Sequence, residues 1–163
     1  MHLKIRQAKA KDVARLCELL NEIIVIGGST AIETPLSTQD FINYFLAGAN
    51  KICCFVAEDG RGVLWGFQAL GKHNELADSC ADIATFAHHK STGLGIGTAL
   101  FAKTRQYAID AGYKEINATI RKDNLSGLAY YTKMGFVDHS VAEAIALRDG
   151  TPVDRASKRF TLI

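Results

Sequence analysis

Three glycines at alternate positions, Gly93, Gly95 and Gly97, constrain this chain more than any other feature. They sit in Thr92-Gly93-Leu94-Gly95-Ile96-Gly97-Thr98-Ala99-Leu100, after an apolar stretch and before a helical pattern. Glycine admits positive φ and lets a ligand approach closely, because no Cβ stands in the way. A turn of this kind opening a helix leaves N–H groups unpaired at the positive end of the helix dipole. That arrangement receives a phosphate or pyrophosphate. Gly-x-Gly-x-Gly also occurs in plain tight turns, so the functional reading needs support from the rest of the chain.

The 163 residues are expected to form one domain, residues 1–163, with enough chain for a sizeable core. The net charge of +2, from 19 basic against 17 acidic residues, is too mild for a nucleic-acid partner. No apolar run reaches the ~20 residues of a membrane span, so no membrane partner is expected. Charges recur from Lys4 to Arg15, where a signal peptide would carry its apolar core. A cytoplasmic protein is expected. Cys17, Cys53, Cys54 and Cys80 contain no Cys-x-x-Cys and read as buried free thiols. His88-His89 reads as turn chemistry beside the glycine loop, and no metal is expected.

Taken in order, Leu3 to Arg6 alternates as a first strand. Asp12 reads as the N-terminal residue of a helix with the apolar stripe Val13, Leu16, Cys17, Leu19 and Leu20. Gly27-Gly28 stops it. Ser29 to Ser37 is polar and irregular, and can wall a pocket; Thr38 reads as the cap of a second helix. Lys51 to Glu58 and Val63 to Leu70 read as an antiparallel hairpin around Asp59-Gly60-Arg61-Gly62. Leu76 to Ala87 is a strand candidate running into the glycine loop, and the helix after the loop ends at Gly112. Ile116, Ala118 and Ile120 alternate with Asn117, Thr119 and Arg121 as a half-buried strand. Asn124 to Met134 is a short helix stopped by Gly135. Phe136 to Leu147 and Lys158 to Leu162 are strands on either side of the Asp149-Gly150 turn. The order β-α-α-β-β-β-α-β-α-β-β describes a mixed α/β (α+β) domain, with helices flanking a mainly antiparallel sheet.

A second motif follows the loop: Asn124-Leu125-Ser126-Gly127-Leu128-Ala129-Tyr130-Tyr131-Thr132-Lys133-Met134-Gly135-Phe136. It resembles the Asn-x-x-Ala-x-x-x-Tyr-x-x-x-Gly-Phe motif of the Gcn5-related N-acetyltransferase (GNAT) family. Ile5-Arg6-x-Ala8-x-x-x-Asp12 and the hairpin fit as well. Shorter matches are similar to the phosphinothricin and amino-acid N-acetyltransferase branch: Gly27-Gly28-Ser29-Thr30-Ala31-Ile32-Glu33, Tyr131 to Phe136, and Gly150-Thr151-Pro152-Val153-Asp154. Two positions depart from the family pattern. Thr92 stands where Gln or Arg commonly precedes the first loop glycine, removing a charge-assisted contact. Gly127 stands where Ala is usual, which weakens the short helix by about 1 kcal/mol.

The resemblance implies a GNAT fold, with the glycine loop between the fourth strand and the next helix. It implies acetyl transfer from acetyl-CoA to a primary amine of a small molecule, such as an amino acid or an analogue like phosphinothricin, methionine sulfone or methionine sulfoximine. The loop N–H groups of Gly93, Leu94, Gly95, Ile96, Gly97 and Thr98 are then placed for the pyrophosphate. By carry-over, Thr85, Phe86 and Ala87 pair through their backbones with the pantetheine arm, like an added strand. Asn124 and Lys133 lie beside the cofactor, Lys133 as a point charge for a phosphate. An amine with a pKa near 10 must lose a proton before it attacks. Asp82 stands where the branch carries a carboxylate and is the candidate base, with Glu75 and Asp78 as alternatives. Tyr131 matches the family's tyrosine and is the candidate acid for the leaving thiolate. Tyr130, about 100° round the helix, is expected to pack. A homodimer is expected from the resemblance and from the commonness of two-fold pairs.

Other readings carry different signatures. A P-loop hydrolase needs Lys after the glycines, and Gly97-Thr98-Ala99 has none. A dinucleotide dehydrogenase places such a loop in its first strand–helix unit, and here it lies past the middle. A CoA-binding module without catalysis, or a transferase for polyamines, aminoglycosides or protein amines, would share the fold and the loop.

Overall fold

The alternating apolar runs pair into a single sheet. The computed structural model describes residues 1–162. Its strands are β1 (Leu3–Gln7), β2 (Lys51–Asp59), β3 (Leu64–Gly71), β4 (Cys80–Ala87), β5 (Glu115–Arg121), β6 (Val137–Ala146) and β7 (Pro152–Thr161). The helices are α1 (Val13–Ile26), α2 (Thr38–Phe45), α3 (Ile96–Asp110) and α4 (Leu125–Met134). The seven strands lie in the order β1-β2-β3-β4-β5-β7-β6. Every neighbouring pair is antiparallel except β4 and β5, which run parallel. This is the mixed, mainly antiparallel architecture expected from the sequence.

Strand alternation divides the core between the two faces of the sheet. On the first face, Leu16 and Leu20 of α1 and Phe41 and Phe45 of α2 pack against Cys54, Val56, Phe67 and Phe86. On the second, Leu100 and Phe101 of α3 and Tyr131 of α4 pack against Phe55, Leu70, Ile83, Ile116, Ala118 and Ile120. The four cysteines are free and buried, as their composition implies. Among the described residues, no helix is long and apolar enough to cross a membrane.

Where element ends depart most from the sequence reading, the reason is local. Asp12 stands at the N-cap position of α1, as expected, but its side chain makes no cap bond to that helix. It closes a 3-10 turn, Ala10–Asp12, and its side chain turns back to accept from Lys9 N at 2.8 Å. The cap of α2 is Ser37 rather than Thr38: its Oγ accepts from Asp40 N at 3.1 Å. β4 begins at Cys80, because Leu76 N and Cys80 N close turns on His73 O and Ala77 O. β7 is longer than its apolar end suggested, since Arg155 and Ser157 face an open cleft and put polar residues where the alternation was expected to be apolar.

The N-terminal motif has a structural cause. Arg6 donates to both carboxylate oxygens of the fully buried Asp12 at 2.8 and 2.9 Å, and to Glu58 at 2.8 Å. The fork ties β1 to β2 and to the start of α1. The guanidinium holds the Asp12 carboxyl below its ordinary range. A lowered carboxylate pKa stabilises the fold above the unfolded value, and the contribution is lost as pH falls through the folded value. Asp12→Ala is expected to lower the unfolding free energy by about 1–3 kcal/mol at pH 7, because it removes two charge-assisted hydrogen bonds and leaves Arg6 with Glu58 alone. Urea titration checks it, and the gap between the two proteins should close as the pH is taken below about 4.

Candidate active site

The parallel ladder between β4 and β5 is short. It joins Cys80, Ala81 and Asp82 to Glu115, Ile116 and Asn117 and then ends, while β4 runs on to Ala87. His88 N–H donates to Trp65 O at 2.8 Å, in register with the β3 ladder. Antiparallel alternation therefore turns the backbone groups of Asp82, Ala84 and Phe86 toward β3, and those of Ile83, Thr85 and Ala87 toward the open side. A cleft of about 1680 Å³ opens there, lined by β4, the glycine loop, α4, β5, β7 and the segment after α1.

The loop opens α3 as its composition requires. Gly93 and Gly95 have φ of 82° and 75°, and Gly95 is the left-handed N-cap. The first intrahelical bond is Ala99 N to Gly95 O, so the N–H groups of Ile96, Gly97 and Thr98 have no partner in the helix. These three residues, with Gly93 and Gly95, line the cleft. Leu94 does not. Its N–H is taken by Ser91 O at 3.1 Å, and its side chain is exposed. Gly97 is glycine for another reason: a Cβ there would lie 2.4 Å from the ring of Tyr130. Thr85 and Ala87 present their backbones to the cleft, but Phe86 pairs with Phe67 and buries its ring in the first core. The outward backbone groups at this end of β4 are thus those of Thr85 and Ala87, while those of Phe86 are turned to β3 and are not open to the arm as expected.

Asp82 and Tyr131 flank the gap from opposite faces of the sheet. Asp82 shares the first face with Asn117, whose Nδ2 donates to Asp82 Oδ1 at 2.9 Å. Arg159 Nε in turn donates to Asn117 Oδ1 at 2.8 Å. Burial pushes the Asp82 pKa up, and the Asn117 hydrogen bond, His73 and Arg159 oppose that shift. Of the alternatives, Glu75 lines the cleft and Asp78 does not. Tyr131 lies on the second face, its ring buried and its hydroxyl 2.8 Å from Thr85 Oγ1. Burial raises its pKa as well.

Tyr130 does more than pack. Its hydroxyl donates to Gly97 O at 2.7 Å and receives a hydrogen bond from Gln68 Nε2 at 3.1 Å, and burial pushes its pKa up to about 12. Gln68 Nε2 also donates to Thr85 Oγ1 at 2.9 Å. Gln68 thus links both tyrosines, and the sequence reading missed it; its one signal was a lone amide in the apolar run of β3. Asn117 was read only as the polar side of a strand. Asn124 caps α4 by accepting from Gly127 N at 3.0 Å and donates to Ser29 O at 3.2 Å. A Cβ at residue 127 would come within 2.4 Å of the Asn124 amide, so glycine there keeps the cap in place. Lys133 is exposed and lines the cleft.

The sequence model of the acetyltransferase (GNAT) family matches residues 15–136. The chain belongs to this family. It is an acetyl-CoA-dependent N-acetyltransferase, with acetyl-CoA as cosubstrate. The open edge of β4 and the unpaired N–H groups heading α3 fit the amide-bearing arm and the pyrophosphate of that cosubstrate. Phosphinothricin N-acetyltransferase of Streptomyces viridochromogenes is 23% identical over 150 residues, covering 91% of this chain and 81% of that protein. A phosphinothricin acetyltransferase from Sinorhizobium meliloti, solved in complex with AcCoA, superposes with a TM-score of 0.86 at 22% identity, covering 99% of this chain and 89% of that one. A ribosomal-protein-alanine N-acetyltransferase from Brucella melitensis superposes with a TM-score of 0.84 at 18% identity, covering 97% and 99%. GNAT proteins named for different acceptors thus share this fold.

The ring contact at Gly97 is directly testable. Gly97→Ala is expected to displace Tyr130 and to cost about 1–3 kcal/mol of stability by overpacking. It should also weaken acetyl-CoA binding, because residue 97 carries one of the free N–H groups. Urea unfolding and calorimetric titration with acetyl-CoA read the two effects separately.

Proposed function

We propose that this GNAT protein acetylates the primary amine of a small molecule by direct attack, and that the acceptor is an amino acid or an analogue such as phosphinothricin, methionine sulfone or methionine sulfoximine. The observation that carries the reading is the placement of Asp82 and Tyr131 on opposite faces of the sheet at the gap. An acceptor reaching the gap from the α1 and α2 side meets Asp82. A sulfur leaving toward α4 meets Tyr131. The acceptor class is supported by the phosphinothricin acetyltransferases among the similar proteins.

In this reading the pyrophosphate sits on the N–H groups of Gly93, Gly95, Ile96, Gly97 and Thr98, and the pantetheine arm extends the sheet along Thr85 and Ala87. Asn124 and Lys133 flank it. Asp82 removes a proton from the ammonium, directly or through water, and the nitrogen attacks the thioester carbon. Negative charge on the carbonyl oxygen is met by a free N–H on the β4 edge. The C–S bond then breaks, Tyr131 donates its proton to the sulfur, and the second amine proton leaves the nitrogen through water, which returns a proton to the Tyr131 phenolate. A raised pKa suits Asp82, since a base works best when its pKa approaches the operating pH. Residues 1–163 act as one domain, placed in the cytoplasm as a homodimer. Sedimentation tests the last point against the 17.7 kDa of one chain.

Free-thiol release from acetyl-CoA, against a panel of amino acids, analogues, polyamines and an N-terminal peptide, tests the transfer and its acceptor. The protein's own four thiols require a no-amine control, although burial pushes all four up, Cys53 to about 11 and Cys54 to about 12. Amine-dependent release with amino acids is the expected result; release only with polyamine or peptide overturns the acceptor class. Tyr131→Phe should lower turnover by roughly 10²-fold or less, and an unchanged rate and pH profile would reject it as the acid.

Asp82→Asn separates chemistry from folding. The amide still accepts from Asn117 but can take no proton, so the acid limb of the kcat/KM profile should disappear. In the parent that limb should lie above the ordinary carboxylate pKa of about 3.9. The raised folded pKa also means that ionised Asp82 costs stability above it, a cost absent below the unfolded value. The variant should therefore match or exceed the parent in stability at pH 8 and lose that margin below about pH 4. A pH–rate curve identical to the parent's removes Asp82 from the mechanism.

A further inference from the structure

The first face of β5 and β7 forms the floor of the cleft next to Asp82. The register sets Asn117 opposite Arg159, Thr119 opposite Ser157, and Arg121 opposite Arg155. Leading away from Asp82, the groups are the Asn117 amide, which also donates to Thr119 Oγ1 at 3.1 Å, then the Thr119 and Ser157 hydroxyls at 3.5 Å, then two guanidinium groups. From Asn117 to Arg121 the strand covers about 13 Å. All six residues line the cleft.

Like charges directly opposite one another on antiparallel strands are destabilising. The surrounding charges do not resolve this pair. Arg121 is occupied: Nε and Nη2 hold Asp123 at 2.9 and 2.7 Å, and Nη1 donates to Thr30 O at 3.3 Å. Glu33 lies close enough to favour the Arg121 cation, but its carboxylate accepts from Arg148 N at 2.8 Å. On β7, Arg159 has Glu115 and Lys158 has Asp138. Arg155 has no hydrogen-bond or ion-pair partner among the described residues, although it is only half-exposed and lies in the cleft. An arginine held opposite a second arginine, without an acid, is arranged for an anion that arrives from outside.

We infer that Arg155 binds an anionic group of the acceptor, with Arg121 fixing the roof segment at Thr30 above it. The acceptor is then an amine that carries a carboxylate or a similar oxyanion several bonds from its nitrogen, the nitrogen at Asp82 and the anion within reach of the Arg155 side chain. This rests on the transferase reading above. The competing source of an oxyanion is a phosphate of the cosubstrate. The floor disfavours it: Arg121 and Arg155 lie on the α1 and α2 face, whereas the glycine loop heads α3 on the other face.

The test compares the parent with Arg155→Gln and Arg155→Lys at saturating acetyl-CoA. The acceptor probes are L-glutamate and its side-chain carboxamide, L-glutamine, in which the distal carboxylate is masked. The parent should prefer the acid by at least about 10-fold in kcat/KM. Arg155→Gln should raise KM for the acid roughly 10- to 100-fold, the scale of one charge-assisted contact, with KM for the carboxamide and for acetyl-CoA unchanged. Arg155→Lys should recover part of the loss, since it keeps the charge without the fork. The melting temperature of Arg155→Gln should equal or exceed the parent's, as expected when a like-charge pair is relieved. Equal use of acid and carboxamide by the parent overturns the inference and leaves the transferase reading intact. A rise in KM for acetyl-CoA, with KM for the acid unchanged, places the anion on the cosubstrate and also overturns it. If neither probe is acetylated, melting temperatures with CoA and each probe decide. A shift from the acid that Arg155→Gln abolishes supports the anion site while the acceptor class proposed above fails. No acid-specific shift overturns the site.

Discussion

The whole site depends on where one parallel ladder stops. β4 and β5 stay joined through Asp82 and Asn117, and beyond that pair β4 continues with its outward N–H and C=O groups unmatched. Buried backbone groups without partners are costly, so an open ladder inside a sheet implies either water or a ligand able to pair with it. The gap also decides what can face what. A residue before the end of the ladder, Asp82, looks to the α1 side; a residue beyond it, Thr85, looks to the α4 side and meets Tyr131. One strand thus supplies both walls of a passage through the sheet, and two reacting groups can be held by the two faces without touching each other.

Much of the fold was legible because its signals are local. Glycines at 93, 95 and 97 and the stop at Gly135 act within a few residues of where they stand, and the motif spacing carried Tyr131 to the helix α4. The polar residues of the site were harder to see. Gln68 matters because register sets it opposite Thr85, and Asn117 because the short ladder sets it opposite Asp82. Neither pairing is written in the sequence near either partner. Asp12 shows the same limit from the other side. An Asp before an apolar helical run ordinarily reads as a cap, yet Arg6, six residues upstream, captures it. Long-range partners decide what a short polar side chain does, and a single sequence does not display them.

Charge follows the same logic. A net charge of +2 looks featureless. In the fold, acids are consumed by structural pairs: Asp12 and Glu58 by Arg6, Asp123 by Arg121, Asp138 by Lys158, and Glu115 by Arg159. The surplus then falls on particular side chains instead of being spread over the surface. On the cleft floor it falls on Arg155. A nearly neutral chain therefore carries a local positive field on the cleft floor, on which the inferred anion site rests.

Burial acts on the two proposed proton carriers in the same direction and with opposite consequences. It favours the uncharged form of each, which makes Asp82 a stronger base and Tyr131 a weaker acid. The leaving thiol has a pKa like that of Cys, about 8.5, so complete transfer from a phenol near or above 10 is uphill by about 1.4 kcal/mol for each unit of difference. A lone buried tyrosine would be poorly suited to that task. Tyr131 is not alone. Gln68 Nε2 donates to Thr85 Oγ1, which leaves the Thr85 hydroxyl free to donate to the Tyr131 oxygen. In that orientation Thr85 does not engage the phenol's own proton, and each donor in the chain polarises the next. The hydrogen bond from Thr85 strengthens as negative charge develops on the phenol oxygen, so its benefit is larger in the transition state than in the resting protein. The buried amide under the tyrosines offsets part of what burial costs the acid.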